Sequence, residues 1–376
     1  MINTYSVFFP SDRDILDVMS CNERKMNMNY LYDLMLSRGI LISKADSRQE
    51  IIDFASTLNY NYKQFKDISK QVAKVSRNEK ISSVAVPCSS SDIDLSKISN
   101  DLSAQFGTSP QEKYSTTTQT NIQESVQINI EYEEIDHSKT KLIQKTTKEA
   151  VIEIDKTSDG VRIRYTANPK INSRVNALIK ILETKLDIPK LKKHEIDFTN
   201  ISDKSKISEF FESLVTNIEG FKLKDVSSIR LHRPKDDEIQ ISQDDTDENV
   251  SDEIVSDSGG LILKASFVGG GLLTSRECTD FLNVGYYISK IRWVGESLDS
   301  SHIRVVMEAE LGEPLECNGY KFHIMGQYNP KDEDFDIYTA SLRDMDLETK
   351  RDVEKKIESS SFRIYDELIN TSEDSI

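Results

Sequence analysis

The feature that most constrains this chain is a change of hydrophobic period along it. From Ile303 to Leu311 every second residue is apolar: Ile303, Val305, Met307, Ala309 and Leu311. Successive side chains of a strand point to opposite faces, so this spacing builds a sheet with one apolar and one polar face. Sheets of that kind are antiparallel, because parallel sheets are covered on both sides and their strands are apolar throughout. The alternation recurs in Val126, Ile128, Ile130 and Tyr132, and in Phe322, Ile324 and Tyr328. Strands at Tyr286–Val294, Ile303–Leu311, Lys321–Tyr328 and Asp336–Leu342 predict an antiparallel meander. A helix from about Leu347 to Ile369 offers Val353, Ile357, Ile364 and Leu368 to cover it. Strands in runs with helices after them predict an α+β fold: a small helical unit, then two α+β units with antiparallel sheets.

The pattern divides the chain into five segments. Residues 1–80 form a helical unit, opened by a short strand at Tyr5–Phe9. Its helices are expected over Asp12–Met19, Lys25–Ser37, Arg48–Leu58 and Asn61–Arg77, and Ser47 with Glu50 forms a capping box for the third. Residues 81–125 are a linker, because nine Ser and five Thr between Ser89 and Ser125 leave little apolar area to order it. Residues 126–235 are the first α+β unit. There Val151–Asp155 and Val161–Tyr165 pair through Ser158-Asp159-Gly160, and Asn168 and Pro169 open a helix. Residues 236–258 are an acidic, disordered insertion. Residues 259–376 hold the meander and its closing helix, preceded by a helix capped by Thr274 and Glu277.

Charge is unevenly spread. The chain of 376 residues carries 48 Lys+Arg against 64 Asp+Glu, a net −16. Ten acids and no base lie between Asp236 and Asp257, which leaves only −6 for the rest. As an insertion this run is a solvating loop. As a ligand it would mimic nucleic-acid charge and compete for a basic groove. No apolar stretch is long enough for a membrane helix, and Met1–Pro10 lacks the basic start of a secretion signal. The four cysteines have no short spacing, which argues against disulfides and a zinc site. A cytoplasmic protein without cofactor or metal is expected.

Catalytic signatures are sparse. His137, His194, His232, His302 and His323 do not pair at ligand spacing and are taken as isolated surface or edge side chains. Cys278, in a helix beside Phe281, is a core residue. Glu153 and Asp155 share one face of a strand, with Lys156 next along. A metal-dependent nuclease needs carboxylates and a lysine in that neighbourhood, though the spacing misses the E-x-K pattern of restriction-type enzymes. The competing reading is a solvated strand face. Gly269-Gly270-Gly271 precedes a helix but lacks the G-K-[ST] ending of a phosphate loop.

The most concrete positive feature is the fourth helix. Phe65, Ile68, Val72 and Val75 recur at helical spacing, and Lys63, Lys66, Lys70, Lys74 and Arg77 fall opposite them. Such a stripe suits phosphates, with steep loss of binding in salt. Residues 30–58 add a resemblance. A helix, the step Arg38-Gly39-Ile40, the extension Leu41-Ile42-Ser43 and a second helix from Ser47 resemble helix–extension–helix DNA-binding motifs of the SAP type. Ser47-Arg48 stands where those motifs have Gly-x-Lys. The resemblance implies Arg38, Lys44 and Arg48 as phosphate contacts.

These observations predict a non-enzymatic nucleic-acid-binding or adaptor protein that works with a protein partner. Its richness in Ile, Lys, Asn and Ser fits an accessory microbial gene, such as an antiviral (phage-defence) component. The alternatives are a divergent nuclease built on Glu153, Asp155 and Lys156, and a purely structural interaction subunit.

Overall fold

A computed structural model describes residues 11–23, 25–73, 79–87, 112–119, 125–135, 145–157, 160–185, 193–234, 255–256, 262–299, 301–331 and 337–373. The first helices are α1 (Asp12–Cys21), α2 (Met28–Leu36), α3 (Arg48–Ser56) and α4 (Tyr62–Ala73). Then come β1 (Ile81–Pro87), β2 (Glu112–Gln119), β3 (Ser125–Ile135), β4 (Lys145–Thr157) and β5 (Gly160–Thr166). They are followed by α5 (Pro169–Lys185), α6 (Ser205–Thr216), β6 (Phe221–His232), β7 (Val255–Ser256), β8 (Ile262–Val268) and α7 (Arg276–Asn283). The last elements are β9 (Tyr287–Ser297), β10 (Arg304–Glu313), β11 (Asn318–Tyr328) and α8 (Leu347–Glu373). The fold class is α+β, as the alternating pattern predicts. The described residues fall into two compact units, one within 1–77, 96–119 and 126–151, the other within 78–95, 120–125 and 152–376.

In the first unit, each helix start is fixed by its sequence. Ser11 with Asp14 and Ser47 with Glu50 form reciprocal capping boxes. Asn61 and Gln64 do the same for α4, each backbone N–H donating to the other's side chain at 3.1 and 2.9 Å. The helices bury Ile15, Val18, Met19, Leu31, Met35, Ile51, Ile52, Ile68 and Val72 in one core. The same unit contains β2 and most of β3, whose Val126, Ile128, Ile130 and Tyr132 are buried in alternation.

The second unit is built on nine strands in the order β4-β5-β1-β11-β10-β9-β6-β8-β7, all antiparallel. One face of the central strands carries Leu231, Ile291, Trp293, Val305, Met307, Ala309, Phe322 and Ile324. Phe210, Phe211 and Leu214 of α6 and Val353, Ile357 and Phe362 of α8 complete this core. On the opposite face α5 packs against β5. Ile154, Ile163 and Val84 lie in register there and are buried.

Several elements depart from the pattern. Ile81–Pro87 and Glu112–Gln119, in the stretch read as linker, are strands. Val255 and Ser256, at the end of the acidic insertion, pair with β8, and the rest of 236–258 lies outside the described residues. So do the strand expected at Tyr5–Phe9 and the turn residues Ser158 and Asp159. The cap of α7 is Ser275, whose side chain accepts from the Cys278 N–H at 3.2 Å. Thr274 still belongs to the preceding turn, where its hydroxyl donates to the Gly271 carbonyl, and the extended cap position falls one residue later. Asp336–Leu342 is not a full strand: only isolated bridges form, Pro330 with Tyr338 and Gln327 with Arg343. Side chains hold this segment instead. Tyr338 donates to the His302 carbonyl at 3.0 Å, and Arg304 lies 3.8 Å over its ring.

Candidate functional site: three clusters of charge

Helix α4 presents Lys63, Lys66 and Lys70 as exposed residues, with Ile68 and Val72 buried behind them. Spacings of three and four place the lysines on adjacent turns of one face. None of the three forms an ion pair among the described residues. Lys74 and Arg77 lie outside the described residues.

The cations implied by the SAP-type resemblance divide. Lys44 is exposed. Arg48 turns inward: its guanidinium donates to the Met19 carbonyl at 2.7 Å and the Met26 carbonyl at 3.3 Å. Arg38 donates to the Asn59 carbonyl at 2.7 Å and sits 4.5 Å over the Tyr60 ring. Arg48 thus satisfies a last-turn carbonyl of α1 and a carbonyl of the loop before α2, and Arg38 a carbonyl of the loop between α3 and α4.

The second cluster holds the carboxylates of the nuclease alternative. Glu153 and Asp155 do share a face of β4, and strand alternation sends Lys156 to the other. Across from them on β5 stands Arg164. Its guanidinium reaches Glu358 of α8 at 2.5 Å, Glu153 at 2.8 Å and Asp155 at 3.6 Å. Arg351 adds a second cation to Glu153 at 3.0 Å, and Lys355 one to Asp155 at 3.3 Å. Burial works against the Arg164 charge, but Glu358, Glu153 and Asp155 around it raise its pKa above the ordinary guanidinium value. Glu354, one turn before Glu358, is pushed up to about 7 by burial, against the pull of Lys350 and Arg164. The arrangement pins α8 to the sheet. Each carboxylate is already neutralised by a resident cation, which is a poor start for binding a metal. Among the described residues no group of three or more His, Cys, Asp or Glu side chains is placed to hold a metal ion.

The third cluster was not legible in the sequence. It covers the polar face of β6, β9, β10 and β11. Arg230, Lys290, Glu310 and Lys321 stand opposite one another in one cross-strand row, and Ser228, Arg292, Glu308 and His323 in the next. Glu308 accepts from Lys290 at 2.8 Å and from the Arg292 guanidinium at 2.7 Å. Glu310 binds Lys80, Lys321 at 3.2 Å and Lys290 at 3.5 Å. Burial opposes the Glu310 charge, yet Lys80, Lys321 and Lys290 hold its pKa down at about 2. His323 is buried, not at the surface as expected. Burial, with Lys80 and Lys290 nearby, lowers its pKa to about 4, and Glu308 only partly offsets this. Its Nδ1 has no hydrogen-bond partner and lies 3.9 Å from Glu308. Alternation in β10 and β11 shows which residues face outward. The pairing of non-neighbouring strands that assembles the cluster has no sequence signal.

Two smaller arrangements resemble catalytic features. His232 Nδ1 is 2.6 Å from Ser289 Oγ, a serine–histidine contact. Ser289 is buried, its hydroxyl donates to the Arg230 carbonyl at 3.2 Å, and burial with Lys264 and Arg230 lowers the His232 pKa to about 3. No carboxylate orients the imidazole among the described residues, so the third member of a triad is lacking. In the glycine loop, the Gly271 N–H donates to Asp225 at 2.8 Å. The chain's own carboxylate occupies the position a phosphate would need. Cys278 is buried, as its helical context predicts.

Among the described residues no helix is long and apolar enough to cross a membrane. Comparison with protein-family models finds no match to the chain, and comparison with curated proteins finds none either.

Proposed function

We propose that the protein is a non-catalytic nucleic-acid-binding component that acts beside a protein partner, and that helix α4 carries the contact. The observation behind this reading is the exposed row Lys63, Lys66 and Lys70, unpaired among the described residues in a chain of net charge −16. Cations that gain nothing from neighbours within the fold are free to release counterions on meeting phosphates. Lys44 joins them as an exposed cation of the same unit. Arg38 and Arg48 serve by holding the helices that present the lysines. The engagement of Glu153 and Asp155 by Arg164, Arg351 and Lys355 favours binding over nuclease chemistry.

The test is a fluorescence-anisotropy titration of a labelled DNA duplex at several salt concentrations. Wild type should bind at low salt and weaken steeply as salt rises. Reversal of Lys63, Lys66 and Lys70 to Glu should abolish the shift while circular dichroism stays unchanged. Equal binding by wild type and the reversed variant sinks the proposal. Cleavage of the duplex with Mg²⁺, lost in Glu153→Ala, would establish the nuclease instead.

A further inference from the structure

We infer, on the reading that α4 is the nucleic-acid contact, that it takes an unpaired strand in preference to a duplex, with a base stacked on Tyr62 and phosphates on Lys63, Lys66 and Lys70. Tyr30, Tyr32, Tyr60 and Phe65 pack against the core of their unit. Tyr62 does not: it is 78% exposed, and among the described residues it makes no hydrogen bond or ring contact. Isolated exposed aromatics are ordinary, but the place of this one is not. A helix turns about 100° per residue, so Lys66 and Lys70 follow Tyr62 on successive turns at about 40° and 80° round the axis, and Lys63 lies at about 100°. The aromatic ring and the three cations therefore share one exposed face of α4. Exposed Asp67, at about 140°, borders that face and opposes a second phosphate chain beside the first. From Tyr62 to Lys70 the face runs ~12 Å along the axis, room for a short stretch of one backbone.

The chemistry of that face selects the strand. In a duplex each base is covered by its neighbours in the stack, and offering its face to a protein ring means flipping it out, with loss of stacking and pairing. An unpaired strand offers a base face without that cost. Tyr62 thus adds to the binding of an unpaired strand and not to that of a duplex. Stacking accepts any base, because every base has a π face, and the lysines hold the backbone as point charges. The contact is accordingly tolerant of sequence. Neither part of it calls on the sugar hydroxyl, so DNA and RNA strands share the chemistry.

The experiment is an anisotropy titration of the full-length protein with labelled oligothymidine, oligouridylate and a DNA duplex, each across a salt series. Tyr62→Ala should weaken binding of an unpaired strand about five- to 150-fold and leave duplex affinity unchanged. Salt slopes should not move, because no charge is altered. Such a loss on either unpaired strand supports the inference, and the tighter of the two identifies DNA or RNA as the source. A loss under about fivefold on both, an equal loss on the duplex, or no binding of either unpaired strand by wild type overturns it. Should the alanine variant fail to fold, Tyr62→Trp decides. Trp293 is the sole native tryptophan and is buried, so the added indole reports on this position. Its quenching by an unpaired strand supports stacking, and its indifference overturns it. Reversal of Lys63, Lys66 and Lys70 to Glu runs in parallel. If that reversal abolishes binding while Tyr62→Ala is silent, α4 remains the contact and only its selection of unpaired strands falls. If the reversal changes nothing, the contact itself falls and the selection with it.

Discussion

Replacement of Arg164 by Met tests how the closing helix is held. The guanidinium is buried and serves three carboxylates, but these do not suffer equally when it goes. Glu153 keeps Arg351 at 3.0 Å, and Asp155 keeps Lys355 at 3.3 Å. Among the described residues Glu358 keeps only Arg162, at 3.9 Å, and its side chain is 2% exposed. The variant therefore strands one buried carboxylate. Removing a single partner of a buried ion pair costs about 3–5 kcal/mol, because the remaining charge has lost both water and counter-charge. For a unit of this size each kcal/mol moves the melting temperature by about 2–4 °C, so a drop of ~6–20 °C is expected. The assay is built in. Trp293 is the sole tryptophan and is fully buried in the core of this unit, so its fluorescence follows this unit alone. A second substitution supplies the control. Glu358→Met in the Arg164→Met background removes the stranded charge and should recover much of the loss, since apolar groups can replace buried pairs at little cost. A single variant that loses under about 1 kcal/mol, or a double variant no more stable than the single, refutes the reasoning.

Two further outcomes follow from the same unit. Glu354 has a folded pKa of about 7 against an ordinary 4.5, so its neutral acid is the form the fold prefers. Its contribution is fully present below pH 4.5 and is lost as pH rises through about 7, a loss of ~3 kcal/mol. Glu354→Gln should thus raise the melting temperature at pH 8 and match wild type near pH 4.5, and a pH-independent difference would rule this out. At Gly326, with φ +150°, an added Cβ would lie 2.6 Å from the Arg343 carbonyl oxygen, which is backbone and cannot step aside. At Gly295 it would lie 2.6 Å from the tip of Met307, which can. Gly326→Ala should cost about 1–3 kcal/mol and Gly295→Ala less, in the same tryptophan melt. The reverse order would contradict the packing described.

Local physics was legible in the sequence to the extent that its signals are local. The capping pair Ser47 and Glu50 placed the start of α3, because both partners lie within one turn. Period-two alternation located β10 and β11 and separated their apolar from their polar residues as far as the bulge beside Val306 and Met307, past which Tyr328 stands opposite Arg304 on the polar face instead of beside Phe322 and Ile324. Asn168 and Pro169 placed the start of α5: the Ile171 N–H donates to Asn168 at 2.9 Å. Thr274 looked like a cap, but the turn before the helix runs through it and Ser275 takes the position. Where a tertiary contact competes, the pattern misleads as well. Arg48 looked like a phosphate contact but turns inward to two carbonyls contributed by residues more than twenty positions away. Nothing near it in sequence announces those acceptors.

The sequence by itself determined the α+β class, the starts of α1, α3, α4 and α5, the apolar face of β10, and the row of lysines on α4. Each follows from side-chain period and from hydrogen bonds between near neighbours. Only the tertiary structure decided which strands sit side by side, and with that which charges meet. Lys80 reaches Glu310 across 230 positions, and Arg164 reaches Glu358 across 194. An ion pair has no sequence signature because its energy depends on burial and distance, which are properties of the folded sheet. The carboxylates of Glu153 and Asp155 thereby became anchors for a helix. The outward residues of β9, β10 and β11 became one network of ion pairs around Glu308 and Glu310.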